Sequence, residues 1–370
     1  MKKWILTLAL VTLFTVGASA FTDISDAEEN RAASSLSSLG IVNGTSGGLY
    51  SPDGYLTRAE FCKMAVLLLG DKDYLSFKNY TLFPDVPYTN WAAAYINCAV
   101  KKRAILRGFS DGSFKPGQNI TYAQAVTVAL NSLGYKSEDI GAIWPQDYIA
   151  KAQEIGLLDG LRSFSPDAPA TRGQTAVLLR NTLITKTKAG NLLLDDSFDT
   201  VTGNAILLAT PQNDASISEN YAEFYIGSEK AVKKSENALM APLIGTSGYL
   251  VTDAANPGLA KGFVCDSKKS VRSKVKKSYP AKLETYDGSF DIPDDAKVIA
   301  SGNVSKYNEG WFDLSSDTPI NIFYDSEGKI SLVSVESADM SGTAYVFGTT
   351  SVAALPANSK VIKNGNPASA

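Results

Sequence analysis

A chain of 370 residues, 44% hydrophobic and 20% charged, has room for two or three domains of about 100 to 200 residues each. Its net charge of -3 excludes a global electrostatic pull toward nucleic acid or an acidic membrane. The absence of histidine removes the commonest general base, the commonest zinc ligand and every Ser-His or Cys-His nucleophile pair.

The chain opens with Lys2 and Lys3, an apolar run from Trp4 to Val16 and Ala18-Ser19-Ala20, the order of an export leader expected to be cut before Phe21. That run is too short to span a bilayer, and no later stretch reaches the roughly 18 apolar residues a membrane helix needs. The expectation is an exported protein with no membrane segment after cleavage.

Three segments then share one order of signals: a helical stretch, an apolar-Gly turn, a Pro-containing loop, a Thr, and a second helical stretch. The first opens on Phe21-Thr22-Asp23, turns at Gly44 and passes Ser51-Pro52-Asp53-Gly54 to Thr57-Arg58-Ala59-Glu60. The second opens on Phe83-Pro84-Asp85 and Trp91-Ala92, turns at Gly108, and reaches Thr121-Tyr122-Ala123-Gln124 after Phe114-Lys115-Pro116. The third has Trp144 and Tyr148, turns at Gly160, and passes Phe164-Ser165-Pro166 to Thr171-Arg172-Gly173-Gln174.

Thr followed three residues later by Glu or Gln is a capping box, so the pairs Thr57/Glu60, Thr121/Gln124 and Thr171/Gln174 each predict a helix start. Phe61, Met64, Ala65 and Leu68 give the first of these helices one apolar face, and Gly70 and Gly134 end the first two. Units this small bury their apolar faces only against one another, so the three are expected to share a core ending near Lys188. Cys62 and Cys98 fall in small-residue helical slots and read as buried thiols, with a bridge between them as the alternative. Cys265 leaves the count odd, and no disulfide framework is implied.

These residues resemble the S-layer homology family, whose pattern runs Phe-x-Asp, Trp-Ala, Gly-Ile-x-x-Gly, Asp-Gly-x-Phe-x-Pro and Ile-Thr-Arg-Ala-Glu. The resemblance covers residues 21–188, as repeats at 21–80, 81–140 and 141–188. It implies an all-α, pseudo-threefold spindle around a central helical bundle, with grooves between repeats that hold a secondary cell-wall polysaccharide. In many members that ligand carries a pyruvate ketal.

By that resemblance Arg58 and Arg172 are anion contacts, Gly44, Gly108 and Gly160 are groove-turn glycines, and Asp23 and Asp85 are the Phe-x-Asp positions. Capping alone would also account for the threonines, their partners and the aspartates. The residues agree for the arginines: the first position of a helix adjoins unsatisfied N–H groups and the positive end of the dipole, and guanidinium forks onto carboxylates. The chain departs from the pattern at Tyr122, which carries no fixed charge, and at Gly173, which weakens the helix start or lets a ligand approach. Asp147 is only a loose substitute for a Phe-x-Asp aspartate. Trp91 and Trp144 read either as sugar-stacking rings or as core.

From about Gly190 the texture changes to short alternating runs between Gly, Asn, Asp and Pro clusters, predicting an all-β region over 190–350 built as small barrels or a sandwich. Candidate strands are 205–210, 221–226, 262–265, 282–286 and 297–300, with a hairpin of 320–324 and 329–335 turning through 325–328. The basic stretch from Lys261 to Lys282 reads as a solvated strand or loop face, or as a contact for an anionic polymer. Asp195, Asp196 and Asp199 lack the spacing of a calcium loop. Residues 351–370 read as a polar tail in which Leu355-Pro356-Ala357-Asn358-Ser359 has no apolar segment behind it.

The expectation is therefore a non-enzymatic protein of the bacterial cell wall or S-layer, without cofactor or metal, held by a wall glycan and displaying its β-rich region as a structural or adhesive module. The alternatives are a wall-anchored glycan hydrolase and a subunit that self-assembles through exposed strand edges.

Overall fold

A computed structural model describes residues 21–335, apart from 46–47, 212–213, 215, 228, 236, 238–240, 267–268, 301–302, 312–313 and 325–327, together with 361–363 and 366–368. The expected leader at 1–20, the stretch 355–359 and most of the expected hairpin turn lie outside the described residues.

The first half carries α1 (Ala27–Ser38), α2 (Arg58–Leu68), α3 (Ala93–Asn97), α4 (Tyr122–Ser132), α5 (Ser137–Ile140), α6 (Gln146–Glu154), α7 (Arg172–Leu183) and α8 (Leu193–Ser197). The three helices begun by threonines, α2, α4 and α7, lie innermost. The expected face of α2, Phe61, Met64, Ala65 and Leu68, is buried, and α7 is buried at every position from Gly173 to Leu183. Gly70 and Gly134 follow α2 and α4 with φ of 62° and 87°, a region a side chain enters only with strain. α3 runs on through a π turn, Cys98–Lys102, which accommodates an extra residue within the helix.

What locks the three segments together is a ring of backbone hydrogen bonds. Leu56 N–H donates to Ala170 O (3.2 Å), Ala170 N–H to Ile120 O (2.8 Å) and Ile120 N–H to Leu56 O (2.9 Å), so each segment both gives and receives. The shared core does not stop at Lys188, because Leu193 and Leu194 of α8 belong to it.

The second half is β-rich, with β1 (Thr200–Ala209), β2 (Tyr221–Ile226), β3 (Glu229–Ser235), β4 (Ser247–Thr252), β5 (Leu259–Cys265), β6 (Lys269–Tyr279), β7 (Lys282–Thr285), β8 (Ser289–Asp291), β9 (Lys297–Ala300), β10 (Asn303–Lys306), a helical turn α9 (Tyr307–Gly310), β11 (Pro319–Tyr324) and β12 (Ile330–Val335). Among the described residues, β1-β2-β3-β5-β4 close into a barrel, and β10-β9-β12-β11-β6-β7-β8 form a seven-stranded sheet. Two further short strands, β13 (Val361–Lys363) and β14 (Asn366–Ala368), pair antiparallel within the stretch read as a polar tail.

Alternation along β1 explains how barrel and sheet meet. Ala205 and Leu207 face the barrel core with Phe224 and Phe263, while Ile206 and Leu208 pack on Ile299, Phe323 and Leu332 of the sheet. The helical half meets the barrel through α1 and β5. Ser38 Oγ accepts from Phe263 N–H (2.9 Å) and Ser35 Oγ from Cys265 N–H (3.1 Å), while Val251 and Val264 join the helical core.

Candidate functional site

The three helix starts share one construction. The side chains of Thr57, Thr121 and Thr171 accept from the third-residue N–H groups of Glu60, Gln124 and Gln174. The first two N–H groups of each helix donate to the neighbouring segment: Arg58 and Ala59 to Gln118 O and Pro116 O, Tyr122 and Ala123 to Ala168 O and Pro166 O, Arg172 and Gly173 to Gly54 O and Pro52 O. This corrects the expectation of exposed anion-binding N–H groups, because closing the ring has consumed them.

The capping box is complete at the first two helices only. Thr57 N–H donates to Glu60 Oε2 (2.8 Å) and Thr121 N–H to Gln124 Oε1 (3.5 Å). Gln174 Oε1 instead accepts from Arg162 N–H (2.8 Å), and Thr171 N–H turns to the hydroxyl of Tyr122 (3.4 Å). Tyr122, at the place of an arginine, thus supplies the acceptor that Gln174 gives up.

Each first-turn side chain reaches onto an aromatic ring of the next segment. Arg58, only 4% exposed, lies between Phe109 and Phe114 with its Cζ 4.6 Å from both centroids. It donates from Nε to Phe114 O (2.9 Å), from Nη2 to Arg107 O (3.0 Å) and from Nη1 to Gln124 Oε1 (3.4 Å). Burial draws its pKa down from the usual arginine value, against the opposing influence of Cys62 and Asp85. Arg172 is half-buried over Tyr50, donating to Tyr50 O (2.8 Å) and Asn43 O (3.2 Å). Tyr122 stacks on Phe164 at 4.6 Å and is buried.

Asp23 and Asp85 brace the loops that carry these rings. Asp23 accepts from Tyr50 N–H (2.8 Å) and Ser51 N–H (2.6 Å), Asp85 from Phe114 N–H (2.9 Å) and Lys115 N–H (2.7 Å). Ser51 and Lys115 have φ of 60° and 56°, so each carboxylate anchors a backbone turn that a non-glycine residue adopts at a cost. Asp147 does not share this task; it accepts from Ile143 N–H (2.9 Å). Gly44 and Gly108 lie beneath Phe21 and Phe83, with no room at Gly108 for a Cβ, whereas Gly160 turns the chain at φ 75°.

The junction of Arg58 opens into a groove of about 700 Å³. Gln124, Thr127 and Asn131 of α4 form its floor, Arg107 and Lys136 bring exposed positive charge, and Trp144 and Tyr148 stand along one wall. Trp144 donates from Nε1 to Thr127 Oγ1 (3.1 Å) and is 49% exposed, and Trp91 is 59% exposed, so neither is core. Sequence reasoning missed Arg107, Lys136, Thr127 and Asn131. Asn131 was detectable, since Asn181 stands at the same offset in α7 and does the same work: their amides donate to Ile105 O and Leu157 O.

Gly173 has a different meaning from the one expected. A Cβ there would collide with the carboxylate of Glu29, which reaches in from α1 and accepts from Gln174 Nε2 (2.6 Å) and Arg162 Nη2 (2.7 Å). A second groove, of about 480 Å³, lies at the far ends of α2 and α4, between Arg103, Leu133, Lys188 and Asp196.

The remaining candidates have structural explanations. Asp199 pairs with Lys72 (3.1 Å), and among the described residues no cluster of His, Cys, Asp or Glu is arranged for a metal. Arg272, Lys274 and Lys276 are exposed along β6 while Ser273 and Val275 face inward, which is a solvated strand face. The three cysteines are free and buried, and burial pushes the Cys62 and Cys98 thiols up to about 12. No described helix is long and apolar enough to cross a membrane.

The S-layer homology domain profile matches residues 20–62 and 82–126. The chain is 35% identical over 159 residues to the middle cell wall protein of Brevibacillus brevis, covering 43% of this chain and 15% of that one. It is 35% identical over 184 residues to a cell surface protein of Thermoanaerobacter kivui, covering 48% and 23%. It is 31% identical over 190 residues to an amylopullulanase of Thermoanaerobacterium thermosulfurigenes, covering 46% and 10%. The chain thus spans less than a quarter of the length of each of these relatives.

Proposed function

We propose, from the premise that this chain is an S-layer homology domain protein of the bacterial cell surface, that residues 21–188 form one spindle-like, three-repeat anchor for a secondary cell-wall polysaccharide. The hold is noncovalent, and the displayed region over 190–350 serves as a structural or adhesive module without catalysis.

The observation that carries this reading is the Arg58 groove. A sugar ring has apolar faces and a polar rim, and the groove is lined by both the rings of Trp144 and Tyr148 and the amide groups of Gln124 and Asn131. An acid such as a pyruvate ketal finds Arg107 and Lys136 at the rim and Arg58 at the base. The guanidinium of Arg58 is fixed by its bonds to Phe114, Arg107 and Gln124, so its charge stands at the base of the groove without reorganisation. Charge-assisted hydrogen bonds of this kind are roughly twice as strong as neutral ones.

The test is retention of purified wall polysaccharide by the full chain. Truncating Arg58 would disturb the fold, so the informative changes are at the exposed rim: Lys136→Ala with Trp144→Ala should reduce retention about tenfold or more, the loss of about 1.4 kcal/mol or more. Undiminished retention would sink the assignment of this groove.

The amylopullulanase match keeps a wall-anchored glycan hydrolase in view, although it reaches only 10% of that enzyme. Release of reducing sugar from pullulan by the purified chain would overturn the non-catalytic reading. Self-assembly through strand edges has little to work with among the described residues: the barrel is closed, and the edge strands, β8 and β10 of the seven-stranded sheet and the β13-β14 pair, are three or four residues long.

A further inference from the structure

The junction of Tyr122 differs from its counterparts in what stands at the head of the following helix. Trp144 stands over the groove of Arg58, and the same cyclic order assigns Trp91 to the junction of Arg172. Glu28 lies as far before Gly44 as Trp144 lies before Gly160, so the pair Glu28-Glu29 takes the place of a tryptophan and its neighbour.

Both acids turn inward. Glu28 pairs with Arg180, which is fully buried, and with Arg31 (2.9 Å). Glu29, only 2% exposed, is held by the amide of Gln174 and the guanidinium of Arg162 over the first turn of α7, where Gly173 leaves the space its carboxylate fills. A guanidinium, an amide donor and a cleared helix turn make a receptor for a carboxylate. Here α1 delivers that carboxylate from the same chain.

We infer that the third junction is self-ligated: Glu29 supplies from within the chain the acidic group that this junction would otherwise take from outside, in space that the Cβ atoms of Ala59 and Ala123 fill at the other two helix starts. The anchor then offers two ligand sites and spends the third on fastening α1. The identity of the outside ligand rests on the wall-binding reading, whereas self-ligation rests on the geometry of Glu29 alone. A tethered carboxylate competes at a far higher effective concentration than a free polymer, so the polymer does not displace it.

The test compares the full chain with its Glu29→Ala variant by thermal unfolding in sodium pyruvate and in sodium chloride at equal ionic strength. The variant should lose several degrees of Tm, and replacing chloride by pyruvate should raise its Tm by more than it raises that of the unaltered chain, in which only the two open junctions can take the anion. Equal differences between the two salts in the variant and in the unaltered chain overturn self-ligation. Titrating the unaltered chain with purified wall-polysaccharide fragments is a second measurement that needs no variant. One or two bound equivalents agree with the inference, and three overturn it. Absence of binding overturns the wall-binding reading instead, and the pyruvate comparison then decides self-ligation by itself.

Discussion

The Asp71 carboxylate, buried at the end of α2, shows how much a single residue of this scaffold depends on its charge. Desolvation pushes its pKa up, but ion pairs with Arg103 and Lys102, and the thiol of Cys98, outweigh that and hold it at about 2. An unfolded chain returns it to about 3.9. Because the folded value is the lower one, the carboxylate stabilises the protein fully above the unfolded value, and that contribution fades as pH falls through 4 toward 2. Asp71→Asn lacks the contribution at every pH, so the gap in Tm between the two proteins should be widest above about pH 5 and narrow toward pH 2. Thermal unfolding across that range checks it, and a constant gap would show that the ion pairs do not set the acid limb. Arg58 makes the complementary point. Its two stacked rings and two backbone carbonyls make it part of the framework, and for that reason the rim residues, not Arg58, report on binding.

At the scale of elements, α7 is where sequence rules and tertiary structure disagree most. Helix propensity alone says that Gly173→Ala should stabilise an interior position by about 1 kcal/mol. Forcing a methyl group into occupied space costs about 1 to 3 kcal/mol, and the space is filled by Glu29. The net expectation is a destabilisation on the order of 1 kcal/mol in urea unfolding; a gain would show that Glu29 gives way freely. The helix itself was legible because its signals are local: a Thr cap, a spacing, an apolar run. Its partner was not, since Glu29 lies far away in sequence and nothing between marks the contact. The same difference separates the strands. β2 and β9 were readable from their alternation, and the stretch of β6 read as a solvated strand or loop face, while β3 was hidden because its buried position holds the small Ser235 beside lysines. The half-complete box at Thr171 failed for a related reason. A sequence shows that Gln174 can return to its cap, but only the fold shows that Arg162 and Glu29 compete for the same amide.

At the scale of the whole molecule, the helical half and the β-rich half meet at α1, and Arg180 is a buried cation that crosses that boundary. It is fully buried in α7, pairs with Glu28 of α1, and donates to Asn181 Oδ1 (3.1 Å) and Cys265 O of β5 (3.3 Å). Desolvation pulls its pKa down, yet Glu28 more than compensates and keeps it above the usual arginine value, so it stays charged. Removing one member of a buried pair leaves the other uncompensated and costs about 3 to 5 kcal/mol, a large share of the roughly 5 to 15 kcal/mol that holds a typical domain folded. Arg180→Met keeps much of the volume but strands Glu28 and the Cys265 carbonyl. Native-state hydrogen exchange should then separate two segments that open together in the unaltered protein, with β5 losing more protection than α7 because α7 keeps its packing in the helical core. Equal loss in both segments would mean that Arg180 stabilises the molecule without coupling its halves, and that the serine contacts of α1 with Phe263 and Cys265 carry the connection instead.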